Sequence, residues 1–194
     1  MISIRRARAA DAWGIGTVHV AAWRSTYPGI LPDRLLAKLS VPRQASHYDA
    51  AIRARVPVHV AMASGNDLPT LSAPRVIGFT TGGPVRSPFG GRMLAEAEVE
   101  TLYVLDDWRD RGLGRRLMRA AATDLSGQGY GSLLVWVLRD NPARWFYQHL
   151  GGKPAAERTV LVGGRRVPQT AFVWDPIAPL LGGPPRPAGV EGIF

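Results

Sequence analysis

The sequence predicts a mixed α/β domain built on a largely antiparallel sheet. Three observations lead there. Segments of alternating or β-branched character recur along the chain, separated by segments of helical spacing. Their order is strand, two or three helices, three strands, helix, strand, helix, two strands. The 194 residues, 46% hydrophobic and 20% charged, suit one soluble globular domain. A domain of that length buries roughly 70% of the surface of its unfolded chain, enough for a sizeable core.

The elements follow in order. Ile2 to Arg6 alternates apolar and polar, as a short strand does. Asp11 is a candidate helix N-cap. Ile15, Val18, Ala22 and Trp23 then keep helical spacing up to Tyr27, and Pro28-Gly29 ends the run. Pro32-Asp33 opens a second short helix carrying Leu35, Leu36 and Leu39, and a third is expected from about Pro42 to Arg53. Val56 to Ala63 reads as a strand, Ser64 to Pro74 as a polar connection, and Val76 to Thr81 as a second strand of this run. Ser87 to Arg92 is a turn, and Glu96 to Leu105 a further strand. Leu113 to Leu125 is a helix, with Leu113, Leu117, Ala121 and Leu125 on one face and arginines on another. Leu133 to Leu138 is apolar on both faces, as a buried strand is. Ala143 to Leu150 forms a short helix closed by Gly151-Gly152. Val160 to Val162 and Val167 to Trp174 flank Gly163-Gly164 as a hairpin. The domain is expected over residues 1–176, and residues 177–194 read as an irregular Pro/Gly-rich tail.

Composition narrows the function. The chain has no cysteine, which excludes disulfides, thiolate metal sites and a cysteine nucleophile. It fits a cytoplasmic location. No apolar run approaches the roughly 20 residues of a membrane-spanning helix, and no apolar stretch follows the charged N-terminus as in a signal peptide. No membrane partner is therefore expected. Of 24 basic residues only Lys38 and Lys153 are lysines, and the formal charge is +9. That balance favours anionic partners. The arginines are scattered, with no aromatic-interleaved stripe, so nucleic acid is not the expected partner.

One segment points to a specific anion. Between Glu98 and Arg116 a strand passes through a polar link into glycines that open a helix. Gly112 and Gly114 allow an anion to approach the backbone. The first N–H groups of a helix have no internal partner, and the helix dipole adds positive charge there. Arg109, Arg111, Arg115 and Arg116 surround the site. Such a helix start suits phosphate. Taken alone, it is equally an ordinary strand-to-helix turn; it is neither a Walker A loop nor a dinucleotide fingerprint.

The wider pattern is more specific. Arg109-x-x-Gly112-x-Gly114, preceded by Leu102-Tyr103-Val104, resembles the acetyl-CoA motif of the GNAT superfamily of N-acetyltransferases. Asn141-x-Ala143-x-x-Phe146-Tyr147-x-x-Leu150-Gly151 is similar to that family's second motif. His19 to Pro32, with Trp23, Tyr27, Gly29, Ile30 and Leu31, resembles the first helices of one bacterial branch. The resemblance spans about residues 1 to 175 and departs at Gly152, where the family usually has Phe.

The resemblance implies a sheet of about seven strands, splayed between the fourth and fifth. It implies acetyl-CoA as acyl donor, with no metal, and a primary amine as acceptor in a ternary complex. The cofactor would lie on Leu102, Tyr103 and Val104, with Arg109, Asp110, Arg111, Gly112, Leu113, Gly114 and Arg115 at the pyrophosphate and Asn141 at the pantetheine arm. The N–H of Val104 would stabilise the developing oxyanion. Tyr147 matches the acid that protonates the leaving thiolate, with a core aromatic as its plainer role. Glu98 and Glu100 are the candidate bases, Glu98 preferred; two residues apart on a strand, they share a face, and their repulsion raises the pKa of one of them. Their plainer reading is a solvated face. His19 and His149 rank below them, His149 as a surface residue. Trp23, Tyr27, Ile30 and Leu31 would line the acceptor pocket, or simply pack. Family members are often homodimers, and no segment here marks an interface. A non-catalytic acyl-CoA sensor on the same fold is the alternative reading; the presence of both Tyr147 and Glu98 weighs against it.

Overall fold

The computed structural model describes residues 2–64 and 74–182. Most of the connection expected over residues 64–74, and the tail beyond residue 182, lie outside the described residues. The strands are β1 (Ser3–Arg6), β2 (Val58–Ala63), β3 (Arg75–Pro84), β4 (Ala97–Val104), β5 (Leu133–Leu138), β6 (Lys153–Val162) and β7 (Arg165–Trp174). The helices are α1 (Ala12–Thr26), α2 (Asp33–Ala37), α3 (Val41–Arg53), α4 (Leu113–Gly127) and α5 (Ala143–His149). One seven-stranded sheet runs β1-β2-β3-β4-β5-β7-β6. Every neighbouring pair is antiparallel except β4 and β5.

Two helical layers cover the sheet. Ile15 and Val18 of α1 and Tyr48 of α3 pack with Val58, Val60, Val76 and Phe79. On the other face Leu113 and Leu117 of α4 join Ala61, Ala63 and Ile77, while Met118, Ala121 and Leu125 meet Ala97, Val99 and Val135. The apolar face read for α4 is the one buried.

Three strands differ from expectation, each for a physical reason. β3 continues past Thr81 through Gly82 and Gly83 to Pro84, because those residues pair with Val99, Glu98 and Ala97. β6 begins at Lys153, well before Val160. It is an edge strand whose Lys153-Pro154-Ala155-Ala156-Glu157 has little β-forming character, and its extended form comes from the β7 ladder. In β4 the register passes from Thr81↔Thr101 to Gly82↔Val99, so Glu100 has no opposite residue. This bulge shifts the alternation: Val99 and Leu102, three apart, pack into the same cluster.

β4 and β5 pair only at Ala97↔Leu133 and Glu98↔Leu134. Beyond Glu98 the strands part, and β4 runs to Val104 without a ladder partner on its β5 side. The start of the C-terminal segment is anchored: Ile177 and Leu180 are buried with Phe172 and Trp174, and the Ile177 N–H donates to the Gly131 carbonyl at 2.7 Å.

Gly152, the departure from the family pattern, has a counterpart in space. A Cβ there would lie 2.7 Å from Cζ2 of Trp174 and 2.9 Å from the Tyr147 carbonyl. The Trp174 indole fills the place of a side chain at residue 152, with its Nε1 donating to the Leu150 carbonyl at 2.9 Å. Gly152→Ala is therefore expected to destabilise the fold by about 1–3 kcal/mol through overpacking. The midpoint of urea unfolding measures it; an unshifted midpoint would refute the account.

Candidate active site

The gap between β4 and β5 opens into a cavity of about 940 Å³. Its walls come from α1, the outer half of β4, the loop into α4, β5 and α5. That is the scale of a site that receives a small-molecule ligand.

At one end lies the loop into α4. Gly112 stands at the N-cap with φ +70°, a left-handed conformation that costs an ordinary residue about 1 kcal/mol or more. No side chain caps the helix, so its first amides are free for a ligand. Leu113, Gly114, Asp110, Arg109 and Arg115 line the cavity. The four arginines do different things. Arg109 is tied to Asp106 at 2.7 Å and donates to Thr26 Oγ1 at 3.1 Å, fixing the loop to the end of α1. Arg111 lies over the Trp108 ring at 4.9 Å and does not line the cavity. Arg116 turns away and donates to the Ile2 carbonyl. Arg115 lines the cavity with no ion pair or hydrogen bond among the described residues.

In the middle, Leu102, Tyr103 and Val104 present the unpaired edge of β4. Across the gap stands Asn141, buried just after β5. Its Oδ1 accepts from the Ala143 N–H at 2.9 Å, at the start of α5, and its Nδ2 donates to the Tyr27 hydroxyl at 3.3 Å. One amide hydrogen remains for a ligand. Tyr147 lines the same stretch, its ring among Phe146, Phe172 and Trp174. Its hydroxyl has no hydrogen bond among the described residues. Burial pushes its pKa far above the usual phenol value, so it stays protonated at neutral pH.

The far end is aromatic. Trp23 and Tyr27 meet edge to face at 5.1 Å, with Leu31 beside them. Ile30 does not line the cavity; it packs with Tyr27 and Leu36 instead. The two carboxylates separate as well. Burial, then the neighbouring Glu100, raise the pKa of Glu98, against the pull of Arg158 and Arg86. Glu98 is nevertheless not part of the lining, whereas Glu100 is, ion-paired to Arg86 at 3.1 Å. The bulge at Glu100 accounts for the difference in placement. His149 is exposed on α5 and lies outside the cavity.

Phe146 of the second motif also lines the cavity, as do Trp108, Thr26, Trp136 and Gln169, which no motif marked. His19 does too, four residues before Trp23, a spacing that puts both on one helix face. Burial and the nearby His47 lower the His19 pKa to about 4. Its unfolded value is near 6.5, so the neutral ring contributes stability above that pH, and the contribution fades as the pH falls toward 4. It is on the order of 3 kcal/mol. Urea unfolding at pH 8 and pH 4.5 is expected to show that loss, and His19→Leu to reduce it; an unchanged slope in the variant would contradict the assignment.

The geometry is that of a splayed parallel pair of strands feeding a glycine-opened helix. The family model described as FR47-like protein matches residues 90–161. The chain is 29% identical over 180 residues to a Bacillus subtilis protein named uncharacterized N-acetyltransferase YuaI, covering 93% of this chain and 96% of that one. Among solved structures, yncA of Salmonella typhimurium, solved with its cofactor acetyl-CoA, superposes with a TM-score of 0.65 at 23% identity, over 98% of this chain and 99% of that one. NAA60 of Arabidopsis thaliana in complex with a bisubstrate analogue gives 0.67 at 18% identity, over 90% and 98%. In sequence and fold the chain is similar to N-acetyltransferases of the GNAT superfamily.

Proposed function

We propose that this chain transfers an acetyl group from acetyl-CoA to a primary amine, both bound at once in the cavity between β4 and β5. The observation that carries the reading is continuity: one cavity joins the uncapped start of α4, the unpaired edge of β4 and Tyr147. The α4 end suits a pyrophosphate, on the amides of residues 111–115 with Arg115 and Arg109 beside them. The β4 edge suits pantetheine, which pairs with Leu102 to Val104 as an added strand would. Asn141 offers its remaining amide hydrogen to the same arm. The thioester carbonyl then reaches the Val104 N–H, which stabilises the oxyanion formed on attack.

Tyr147 gives its proton to the departing thiolate. Its hydroxyl has no hydrogen bond among the described residues and is kept protonated by burial, so it has a proton to give. The acceptor enters along Trp23, Tyr27 and Leu31. Of the two carboxylates, Glu100 is the one placed to draw in a cationic amine. Among the described residues no helix is long and apolar enough to cross a membrane.

The test is thiol release from acetyl-CoA with spermidine, phenethylamine, free amino acids and a peptide N-terminus as acceptors. Amine-dependent release with an acetylated product is expected. Tight acetyl-CoA binding without release on any of them would favour a sensing protein.

A further inference from the structure

The reading above leaves the proton that the amine loses on attack without a placed acceptor, and the inference below rests on that reading. Glu98 does not reach the cavity, and Glu100 is engaged with Arg86. We infer that Nε2 of His19 takes this proton and that Tyr48 is the positioning residue that holds the ring for it.

The ring is fixed on every side. His19 is only 8% exposed yet lines the cavity. Trp23 stacks on it at 5.1 Å and Phe79 lies near-parallel at 6.4 Å, while Tyr103 meets it edge-on at 5.5 Å. Its Nδ1 is 2.7 Å from the Tyr48 hydroxyl. The Tyr48 hydroxyl lies beside the Thr101 side chain, whose Oγ1 is 2.7 Å from Thr81 Oγ1 at the β4 bulge. With Nδ1–H donating to the Tyr48 oxygen, a lone pair is left on Nε2, the one ring nitrogen without a protein partner among the described residues. A base held in one tautomer by a second group is a recurrent catalytic arrangement.

The step balances. The neutral amine's lone pair bonds to the carbonyl carbon, and the carbonyl π pair moves to oxygen. The new ammonium is far more acidic than the free one and passes a proton to Nε2. Collapse of the oxyanion breaks the C–S bond, and Tyr147 protonates the thiolate. Imidazolium and phenolate then restore each other through water in the open cavity.

Two experiments decide the inference. The first needs no acceptor: ¹⁵N NMR of the free protein is expected to find His19 neutral with its proton on Nδ1, perturbed in Tyr48→Phe. A proton on Nε2 would overturn it. The second uses the amine that supports the fastest thiol release. His19→Ala should lower kcat about a hundredfold at unchanged acetyl-CoA affinity. Added imidazoles should restore turnover in the order of their basicity, as a missing base requires and a missing shape does not. Tyr48→Phe should lower kcat by less, with KM little changed. Undiminished turnover in His19→Ala, or rescue that follows imidazole size alone, would overturn the role. A wild-type protein that releases no thiol with any amine would instead sink the acetyltransfer reading, while the NMR result still decides the tautomer.

Discussion

Gly112→Glu should abolish measurable binding of coenzyme A. Two effects add. The residue sits at φ +70°, so any side chain there strains the turn that opens α4. A Cβ would meet nothing within 4 Å, so the substitution does not break packing and the fold should survive. The added carboxylate then occupies the mouth of an anion site with its own negative charge, next to Arg115. Repulsion of the pyrophosphate and loss of its amide contacts are expected to weaken affinity at least about a hundredfold, about 2.7 kcal/mol. Calorimetric titration with coenzyme A measures this, with Gly112→Ala as the control that carries the strain alone. Equal affinities for wild type and Gly112→Glu would move the cofactor elsewhere.

Tyr147→Phe should leave acetyl-CoA binding intact and slow turnover about a hundredfold or more. The ring contacts with Phe146, Phe172 and Trp174 are retained, so stability should change little. Only the hydroxyl is lost, and it has no hydrogen bond among the described residues. The deficit should therefore appear in kcat and not in the acetyl-CoA dissociation constant. It should also shrink with an acyl thioester whose thiol is a better leaving group, since such a thiolate needs less help from an acid. A deficit independent of the leaving group would make Tyr147 a wall of the site and not its acid.

Much of this arrangement is legible in the sequence because it is local. The turn of α4 follows from two glycines and an apolar face, β5 from a continuous apolar run, and the α5 segment from its Asn141 to Gly151 pattern. The rest depends on neighbours far along the chain. Nothing in Lys153 to Glu157 specifies a strand; β7 does. Glu98 and Glu100 look equivalent by period-2 counting, and a single unpaired residue in β4 separates their surroundings. Ile30 and Leu31 are adjacent and equally apolar, and only the path of the chain between α1 and α2 decides which one lines the cavity. Tyr48 has no motif at all. Its link to His19 spans 29 positions, a contact that periodicity does not report.

The exchange at Gly152 carries one more implication. The indole of Trp174 and the usual aromatic at residue 152 compete for the same volume beneath Tyr147. The two positions therefore behave as a single locus with one vacancy, and neither can be judged alone. Gly152→Phe should be ruinous by itself and tolerable beside Trp174→Ala, a coupling of opposite sign to the sum of the separate changes.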